Sequence, residues 1–557
     1  MHNFFIGLMC LVMGGYLSGM NAPTDTLTVW GDQSDGTFCN PILRADYSDP
    51  DPLRVGNDYY LVSSTFESYP GVIILHSKDL VNWETVGGAF HHLDKLSADY
   101  SWERMNRYNG GVYAPTISYH DGRFYIFANL YTDGFYMASA ERPEGPWKEQ
   151  MVKDKYGRSL RVLHWTDPCP FWDDDGKAYL AASHPGRKYW YSYLFQMSPD
   201  GTQLLDADSA AMAQYPVFYQ YPEGGTCISP YHSSEGNRIF KHNGYYYLQH
   251  IEFLNDGLGE GSYIFRSKHL YGTHPDGSPG QPGNLGEYEK FCIERVKERK
   301  NQRLPGQGGY VTTPDGRWWF IGQYNRDSPE GRVPYLVPVN WRDDWPVMDS
   351  VPVRMEKPVK GNLACLPQGS DEFSSRTLHP RWRWNHSPRN THWSLAERRG
   401  WLRLKAFRPV DDKGFFKAGN TLLQHTMPSD STVIETRLDI SRMTKGQQAG
   451  LAVFNGGKSY ALIAIRERHL FFDTDGQTMT GQPVGKRYVC LRIHINKDGV
   501  AHFFYSTDRR HYHPFGHSYQ LTAGNFRGAQ VGLYTFNTEA DQGIADFDYL
   551  HYTVTNK

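Results

Sequence analysis

The stretch "ISYHDGRFYIF", residues 117–127, joins two runs of apolar and aromatic residues through an Asp-Gly step. Asp-Gly and Asn-Gly steps between such runs are the strongest short-range signal for a β-hairpin. A Gly-containing turn followed by an aromatic pair or near pair recurs along the chain, which predicts a repeated hairpin. The five copies are "GNDYY" (56–60), "DGRFY" (121–125), "DGKAY" (175–179), "NGYYY" (243–247) and "DGRWW" (315–319).

The spacing of these copies predicts the architecture. One aromatic residue of each copy serves as a marker: Tyr60, Tyr125, Tyr179, Tyr246 and Trp319. The intervals between markers are 65, 54, 67 and 73 residues, each long enough for a four-stranded unit with its loops. Five such units predict a five-bladed β-propeller. A sandwich is the alternative packing of the same hairpins, but their even spacing favours radial closure.

Beyond the fifth copy the pattern changes. Residues 337–373 are rich in Pro, Gly and charged residues, which places a domain boundary near residue 365. Alternating segments such as "STVIETRLDI" (431–440) and "RYVCLRIHI" (487–495) follow and predict an antiparallel β-sandwich. The chain is therefore predicted to be all-β, with a leader at residues 1–22, a propeller at 23–360 and a sandwich at 371–557.

The N-terminal segment predicts export. Residues 4–17, "FFIGLMCLVMGGYL", are apolar but too short to span a bilayer comfortably, and small and polar residues follow them. This is typical of a secretory signal, although the preceding "MHN" has no Lys or Arg. The predicted location is the periplasm or the exterior of a bacterium, with no membrane span in the mature chain. The seven cysteines have no CxxC or scaffold spacing, so neither a zinc site nor a disulfide framework is predicted.

The composition limits the class of ligand. With 58 Lys and Arg against 60 Asp and Glu, the chain has no electrostatic reason to bind nucleic acid or an acidic membrane surface. Its 38 Tyr and 15 Trp provide flat rings that can stack on a neutral polar ligand. A sugar fits that description.

One position of the repeat is acidic in three blades. It lies eleven or twelve residues before each marker and is predicted to be just before the inner strand. Inner strands surround one axis and start at the same end, so these residues are expected at one mouth of the central channel. The other nearby acids, Asp46, Asp51 and Asp173–Asp175, are out of phase and are interpreted as turn and surface groups. The in-phase residues are Asp49, Ala114, Asp167, Glu235 and Gln307 or Gly308.

Three acids at one mouth suit glycoside hydrolysis. An inverting glycosidase needs two carboxyl groups roughly 6.5 to 9.5 Å apart, with room for a sugar and a water. Glu has the longer reach, so Glu235 is the better proton donor to a glycosidic oxygen, and Asp49 is left to deprotonate water. Asp167 would tune and orient the donor. A single Asp before Pro is more often a turn or cap residue, but coincidence of phase in three blades favours catalysis.

Through these residues the chain resembles glycoside hydrolase family 43, whose five-bladed propellers act on arabinose- and xylose-containing polysaccharides. The resemblance spans residue 39 to about residue 350 and implies a general base at Asp49, a pKa-modulating acid at Asp167 and a general acid at Glu235. From "DEFSS" at residue 371 the chain resembles the concanavalin A-like sandwich of some members. The propeller match includes "NPILRADYSDPDP" (40–52), "GGVYAPTISYHDGRFYIF" (110–127), "EGNRIFKHNGYYYL" (235–248) and "GRVPYLVPVNW" (331–341).

The same resemblance implies substrate-binding residues. Arg332 matches an arginine that reaches the sugar in the innermost subsite, and Phe66 and Tyr69 match the aromatic wall of that subsite. Ser68 stands where xylosidase members with a similar layout usually have Trp, which weakens a β-xylosidase prediction. Gln307, the remaining candidate, replaces an axial His that in many members coordinates calcium or water. One amide cannot hold Ca²⁺ without further ligands, so no cofactor is required and a structural Ca²⁺ has little support.

The first functional hypothesis is an exo-acting α-L-arabinofuranosidase that trims arabinose from arabinan, arabinoxylan or pectic side chains. A β-D-xylosidase is the nearest alternative, since the same three acids serve either pentoside. A non-catalytic sugar-binding propeller is a second class, although the complete acid set argues against it. A retaining furanosidase with the first Asp as nucleophile is a third. The predicted partner is a plant polysaccharide or oligosaccharide, and linkage preference and oligomeric state stay open.

Overall fold

The computed structural model of the chain describes nine segments. The predicted leader at residues 1–22 lies outside them. No helix in these segments is both long enough and apolar enough to cross a membrane. The described residues are 30–130, 133–185, 190–214, 224–229, 233–254, 259–296, 301–324, 328–361 and 365–554.

The N-terminal two thirds of the described chain form a five-bladed propeller, as predicted. Each blade is a four-stranded antiparallel sheet, and its first strand lies innermost. The blades follow one another along the chain without exchange of strands. The strands are β3 (Asp51–Val55), β4 (Asp58–Ser63), β6 (Val72–Ser77) and β7 (Glu84–Ala89) in blade I; β8 (Val112–His120), β9 (Arg123–Leu130), β10 (Gly134–Ala140) and β11 (Lys148–Met151) in blade II; β12 (Thr166–Trp172), β13 (Ala178–Pro185), β14 (Trp190–Met197) and β15 (Thr226–Cys227) in blade III; β16 (Ser233–His242), β17 (Tyr245–Leu254), β18 (Gly259–Ser267) and β19 (Glu289–Val296) in blade IV; and β20 (Gly308–Thr312), β21 (Trp318–Gln323), β22 (Pro334–Arg342) and β23 (Trp345–Val347) in blade V.

The repeated hairpins of the sequence are the inner hairpins of the blades. Each aromatic marker lies in the second strand of its blade. In blades II and IV the connection has two residues, Asp121-Gly122 and Asn243-Gly244, and all four have positive φ. That backbone is the type I′ turn, whose twist matches the twist of the paired strands. The local turn chemistry therefore sets the register of these two hairpins.

The ring closes between the last blade and the first. The inner strand β20 of blade V packs against β3 of blade I. The segment before blade I reinforces this closure, because Asn40 exchanges hydrogen bonds with the backbone of Leu336, at 2.8 and 2.9 Å. A three-stranded sheet beside blade V joins the two ends of the propeller: β1 (Gly31–Asp32), β2 (Thr37–Cys39) and β24 (Arg354–Glu356).

The C-terminal part is an antiparallel β-sandwich of two sheets, as predicted. One strand of the first sheet, β5 (Ser68–Tyr69), comes from the propeller. In spatial order the first sheet is β33 (Gln477–Pro483), β32 (His469–Thr474), β31 (Tyr460–Arg466), β30 (Gln447–Phe454), β38 (Gln530–Asn537), β28 (Leu422–His425), β25 (Arg383–Asn385) and β5. The second sheet is β26 (Trp393–Ser394), β27 (Leu402–Lys405), β39 (Ile544–Val554), β29 (Thr432–Asp439), β34 (Tyr488–Ile495), β35 (Val500–Ser506) and β36 (His513–Pro514), with β37 (Tyr519–Gln520) also paired to β35. The described α-helices are short, α1 (Leu93–Leu96) and α2 (Ser209–Gln214).

The two domains share a hydrophobic core. One cluster of buried side chains contains Trp83 and Trp319 of the propeller together with Trp384 and Leu451 of the sandwich. Burying apolar surface of this kind stabilises the contact by roughly 25 cal/mol per Å². The sandwich is therefore packed onto the propeller along a continuous apolar interface.

Candidate active site

A cavity of about 300 Å³ lies where the inner strands of the propeller begin. The in-phase residue of every blade lines it, so the repeat does bring the three acidic side chains to one opening. Four further residues come from the propeller and one from the sandwich. The lining residues are Asp49, Tyr113, Ala114, Thr166, Asp167, Trp190, Glu235, Gln307, Arg332 and Phe526.

The position of these residues in their strands differs from the prediction. Asp49 and Gln307 precede β3 and β20, but Ala114, Asp167 and Glu235 lie inside β8, β12 and β16. In each of those three strands the pairing register shifts at this point. Such a β-bulge adds one residue to a strand and re-aims its side chain. The prediction that all five residues precede their strands is therefore wrong for blades II to IV.

Asp49 is held by donors from three sides. The hydroxyl of Ser64 donates to its Oδ2 at 2.6 Å. Gln323 Nε2 and Arg332 Nη1 donate to its Oδ1 at 2.9 and 2.8 Å. The hydroxyl of Ser64 also accepts from the backbone N–H of Ala114 at 2.7 Å. All three donors need lone pairs on the carboxyl group, so the ionised form of Asp49 satisfies them together.

Asp167 fixes the backbone that carries Glu235. Its Oδ2 accepts from the N–H of Gly236 at 2.7 Å, and its carbonyl oxygen accepts from Asn237 Nδ2 at 3.0 Å. Both donors lie directly after Glu235 in β16. Since Gly236 has a φ of 70°, a conformation that favours glycine, the strand can bulge at this point. Asp167 thus ties blade III to the Glu235 position of blade IV.

Asp167 is also electrostatically unusual. Burial raises the pKa of its carboxyl group to about 6, and the nearby negative charge of Asp49 acts in the same direction. The hydrogen bond from Gly236 and the positive charge of Arg238 oppose this shift. A carboxyl group with a raised pKa beside a second carboxyl group is common in active sites that carry out acid–base chemistry.

Aromatic rings form part of the wall. Tyr113 and Trp190 of the propeller and Phe526 of the sandwich line the cavity. Phe526 is at the tip of a loop whose backbone oxygen accepts from Ser48 Oγ at 3.0 Å. The guanidinium carbon of Arg332 lies 5.1 Å from the centre of the Phe526 ring. The sandwich therefore contributes a wall to a cavity whose acids all come from the propeller.

Two of the predicted substrate-binding residues lie elsewhere. Phe66 is only 1% exposed, and its ring packs edge-on against Tyr113 with 5.2 Å between centroids. Tyr69 belongs to β5, where it pairs with Trp384 of the sandwich. Neither residue is among those that line the cavity in the described part of the chain. Phe66 is therefore buried behind Tyr113, whereas the half-buried Tyr69 ring packs edge-on against His91 with 5.8 Å between centroids. Gln307 and Arg332 do line the cavity.

The out-of-phase acids also need correction. Asp46 and Asp51 are 5% and 6% exposed, so they are not surface groups. Asp46 Oδ1 accepts from the backbone N–H of Arg332 at 3.0 Å and from Ser48 Oγ at 2.8 Å, which fixes the loop that carries Arg332. Asp174 and Asp175 are exposed turn residues, as predicted. Asp51 is buried by its ion pair with Arg238, and Asp46 is buried where Gly331 of the propeller approaches Gly528 of the sandwich.

Gln307 makes a contact that sequence alone does not give. Its Nε2 lies 3.4 Å from Asp167 Oδ1 and donates to it. Among the described residues no group of three or more His, Cys, Asp or Glu side chains is arranged to hold a metal ion. The amide of Gln307 is directed at the carboxyl group of Asp167.

Acidic side chains from three blades, gathered in one cavity with aromatic walls, define a propeller of the glycoside hydrolase class. The family model described as "Glycosyl hydrolases family 43" matches residues 38–346. A second model, "Beta xylosidase C-terminal Concanavalin A-like domain", matches residues 370–553. The chain belongs to glycosyl hydrolase family 43 and is a glycoside hydrolase.

Similar proteins include enzymes named for two pentosides. A "Beta-xylosidase" of Formosa agariphila is 31% identical over 94% of this chain and 91% of its own length. A "Non-reducing end alpha-L-arabinofuranosidase BoGH43B" of Bacteroides ovatus is 28% identical over 78% of this chain and 76% of its own length. The crystal structure of the GH43 protein BlXynB from Bacillus licheniformis superposes with a TM-score of 0.72, at 25% identity, over 93% of this chain and all of that one.

Proposed function

We propose that this protein is an exo-acting, inverting glycosidase that removes a terminal pentose from a plant polysaccharide or oligosaccharide. The proposal rests on one observation: Asp49 of blade I and Glu235 of blade IV line the same cavity. A volume of about 300 Å³ lies at the lower end of the range for small-molecule sites, which suits a chain end better than a polymer segment. The apolar segment at residues 4–17 supports export.

In this mechanism the sugar lies between the two catalytic groups. Asp49 removes a proton from a water molecule, and the water oxygen bonds to the anomeric carbon from the face opposite the leaving group. The bond from that carbon to the glycosidic oxygen breaks, and Glu235 donates its proton to the departing oxygen. Asp49 ends protonated, Glu235 ends ionised, and the released sugar has the inverted configuration.

The neighbouring groups support these roles. Arg332 contacts Asp49 and lines the cavity, so it is placed to bind the sugar and to hold the base in its orientation. Asp167, through Gly236, holds the backbone beside Glu235. We assign Asp167 to the positioning and tuning of the proton donor, and Gln307 to the polar wall beside it.

Among the two pentosides we place the β-D-xyloside first, which reverses the order suggested by sequence alone. The relative that is 31% identical over nearly the whole chain is named a β-xylosidase. The sequence argument against a xyloside was Ser68 in place of Trp. Ser68 is 1% exposed, and Tyr113 and Phe526 supply aromatic walls instead, so the cavity does not lack rings. An α-L-arabinofuranoside is the second candidate because a relative over 78% of the chain bears that activity in its name.

Chromogenic glycosides test both the proposed hydrolysis of pentosides and the proposed preference for a xyloside over an arabinofuranoside. We expect kcat/KM for 4-nitrophenyl β-D-xylopyranoside to exceed that for 4-nitrophenyl α-L-arabinofuranoside by about tenfold, the effect of roughly 1.4 kcal/mol of differential transition-state binding. Release of 4-nitrophenol at initial rates gives both values. The opposite order would replace the xyloside by the arabinofuranoside, and a protein that hydrolyses neither would contradict a pentosidase. A panel of arabinan, arabinoxylan and xylo-oligosaccharides then identifies the natural linkage.

A further inference from the structure

A buried ion pair occupies the propeller axis one layer below the acidic side chains. Arg238 Nε lies 2.9 Å from Asp51 Oδ1, and the two side chains are only 6% and 9% exposed. Asp51 is two residues beyond Asp49 in blade I and is the first residue of β3. Arg238 is three residues beyond Glu235. The bulge at Gly236 adds one residue to β16 between them, so both side chains lie on the same side of the strand. Asp51 and Arg238 each come shortly after an acidic residue of the cavity in the same blade.

Every blade contributes to the surroundings of this pair. In blade II the N–H of Ile117 donates to Asp51 Oδ2 at 2.9 Å. In blade III the buried thiol of Cys169 is close enough to sense the charge of Arg238, which opposes the burial that raises the pKa of Cys169 to about 11. In blade V a side chain on Gly309 would place Cβ 2.7 Å from Asp51 Oδ1, so only glycine leaves room for the pair.

The arginine has unused hydrogen-bonding capacity. Its Nη1 donates to the carbonyl oxygen of Asn237 at 2.7 Å. Nε, although it lies 2.9 Å from Asp51 Oδ1, and Nη2 are both buried, and within the described part of the chain neither has a hydrogen-bond partner. A buried guanidinium that lacks a full set of acceptors is a costly arrangement that a purely structural role does not require. Arg332, the other arginine beside the acids, approaches Asp49 from the cavity side.

The charges of the two layers interact. Burial disfavours the charged guanidinium, but the carboxylates of Asp51, Asp167 and Asp49 together raise the pKa of Arg238. In return, its positive charge lowers the pKa of Asp167 against the effect of burial. In a low-dielectric interior such an interaction is weakly screened.

From this geometry we infer that Arg238 is the fixed axial cation of the site, a positioning residue that favours the ionised form of the carboxyl groups above it. Asp51 holds the guanidinium on the axis and partly neutralises it. The role rests on the proposed function, because it concerns the protonation of the proposed base and its neighbour. Arg238 itself has no contact with substrate in this account.

Two substitutions separate this role from a structural one. Arg238→Met removes the positive charge, so the acidic limb of the pH profile of kcat/KM is expected to move up by about one pH unit. Asp51→Asn removes the opposing negative charge and keeps the shape of the side chain, so the limb is expected to move down. Arg238→Lys, the matched control, keeps the charge and should keep the wild-type limb.

A structural role predicts a different pattern. Both substitutions break the same ion pair, so both would lower the midpoint of thermal unfolding and leave the acidic limb in place. An unmoved limb in both variants, or a shift in the same direction, would overturn the role of Arg238. If Arg238→Met does not fold, the result for Asp51→Asn tests the inference by itself. An acidic limb that moves up or does not move in Asp51→Asn would then overturn the inference. A wild-type protein inactive on every pentoside would overturn the proposed function and this role with it. That result is distinguishable from an active wild-type protein whose variants keep the acidic limb in place.

Discussion

Asp49→Asn and Glu235→Gln are each expected to lower kcat/KM on xylobiose by about 10²- to 10⁴-fold, the contribution of a positioned general acid or base. The two variants should differ on an activated substrate. The 4-nitrophenolate group leaves without protonation, so Glu235→Gln is expected to lose much less on the 4-nitrophenyl xyloside than on xylobiose. Asp49→Asn should lose equally on both, because each reaction needs the activated water.

The control for this experiment is Asp175→Asn, in an exposed turn of blade III. Its activity should match the wild type. All three variants should keep the thermal midpoint of the wild type to within a few degrees, because amides replace carboxyl groups of nearly equal shape. More than a tenth of wild-type activity in Asp49→Asn would remove Asp49 as the base. Equal losses of Glu235→Gln on the two substrates would remove Glu235 as the proton donor.

Arg527→Ala is expected to destabilise the whole protein by about 3 to 5 kcal/mol, the usual cost of leaving one partner of a buried ion pair alone. Arg527 Nη1 forms an ion pair with Glu67 Oε1, and both side chains are 2% exposed. Arg527 Nη2 donates to the carbonyl oxygen of Thr65 at 3.2 Å, and its guanidinium carbon lies 4.8 Å from the centre of the Phe66 ring. One sandwich residue thus anchors the segment that follows the first blade's second strand.

Urea unfolding measures this loss, and Arg509→Ala on the exposed surface of the sandwich is the matched control. Because one hydrophobic cluster spans both domains, we expect a single transition for each variant. The double variant Glu67→Gln with Arg527→Met should lose less than Arg527→Ala, since it leaves no buried charge without a partner. A loss below about 1 kcal/mol in Arg527→Ala would mean that the pair is not buried as described.

Much of the fold and the acid cluster follows from a repeated local pattern. Asp-Gly and Asn-Gly turns set the hairpins, and the distance from each marker back to the inner strand selects Asp49, Asp167 and Glu235. In blades II, III and IV a β-bulge at this position aims the side chain. The expectation of a shared opening needs only the repeat interval and the radial arrangement of the blades.

The rest of the site could not be predicted because it depends on contacts between non-equivalent segments. Ser64 and Gln323 both donate to Asp49. Ser64 directly follows β4 and Gln323 ends β21, and nothing in the repeat marks either residue. Phe526 reaches the cavity only because the sandwich packs on the propeller. Phe66 illustrates a related ambiguity, because an aromatic residue in a cavity wall and one buried behind it give the same sequence pattern.

The axial pair illustrates the same limit. Asp51 is out of phase with the three acids along the chain, yet it faces the axis one layer below Asp49. Arg238 is brought opposite by a bulge that no turn residue announces except Gly236. The sequence shows the charges of Asp51 and Arg238, but it does not show the bulge in β16 that brings Arg238 opposite Asp51.

The configuration of the first-formed sugar reports directly on the number of displacements at the anomeric carbon. Proton NMR of the reaction on a β-D-xyloside, recorded before mutarotation, distinguishes the two anomers of xylose. A single displacement by water, with Asp49 as base and Glu235 as acid, predicts that α-xylose accumulates first. Initial release of β-xylose would mean two displacements through a covalent intermediate, and the roles assigned to Asp49 and Glu235 would be contradicted.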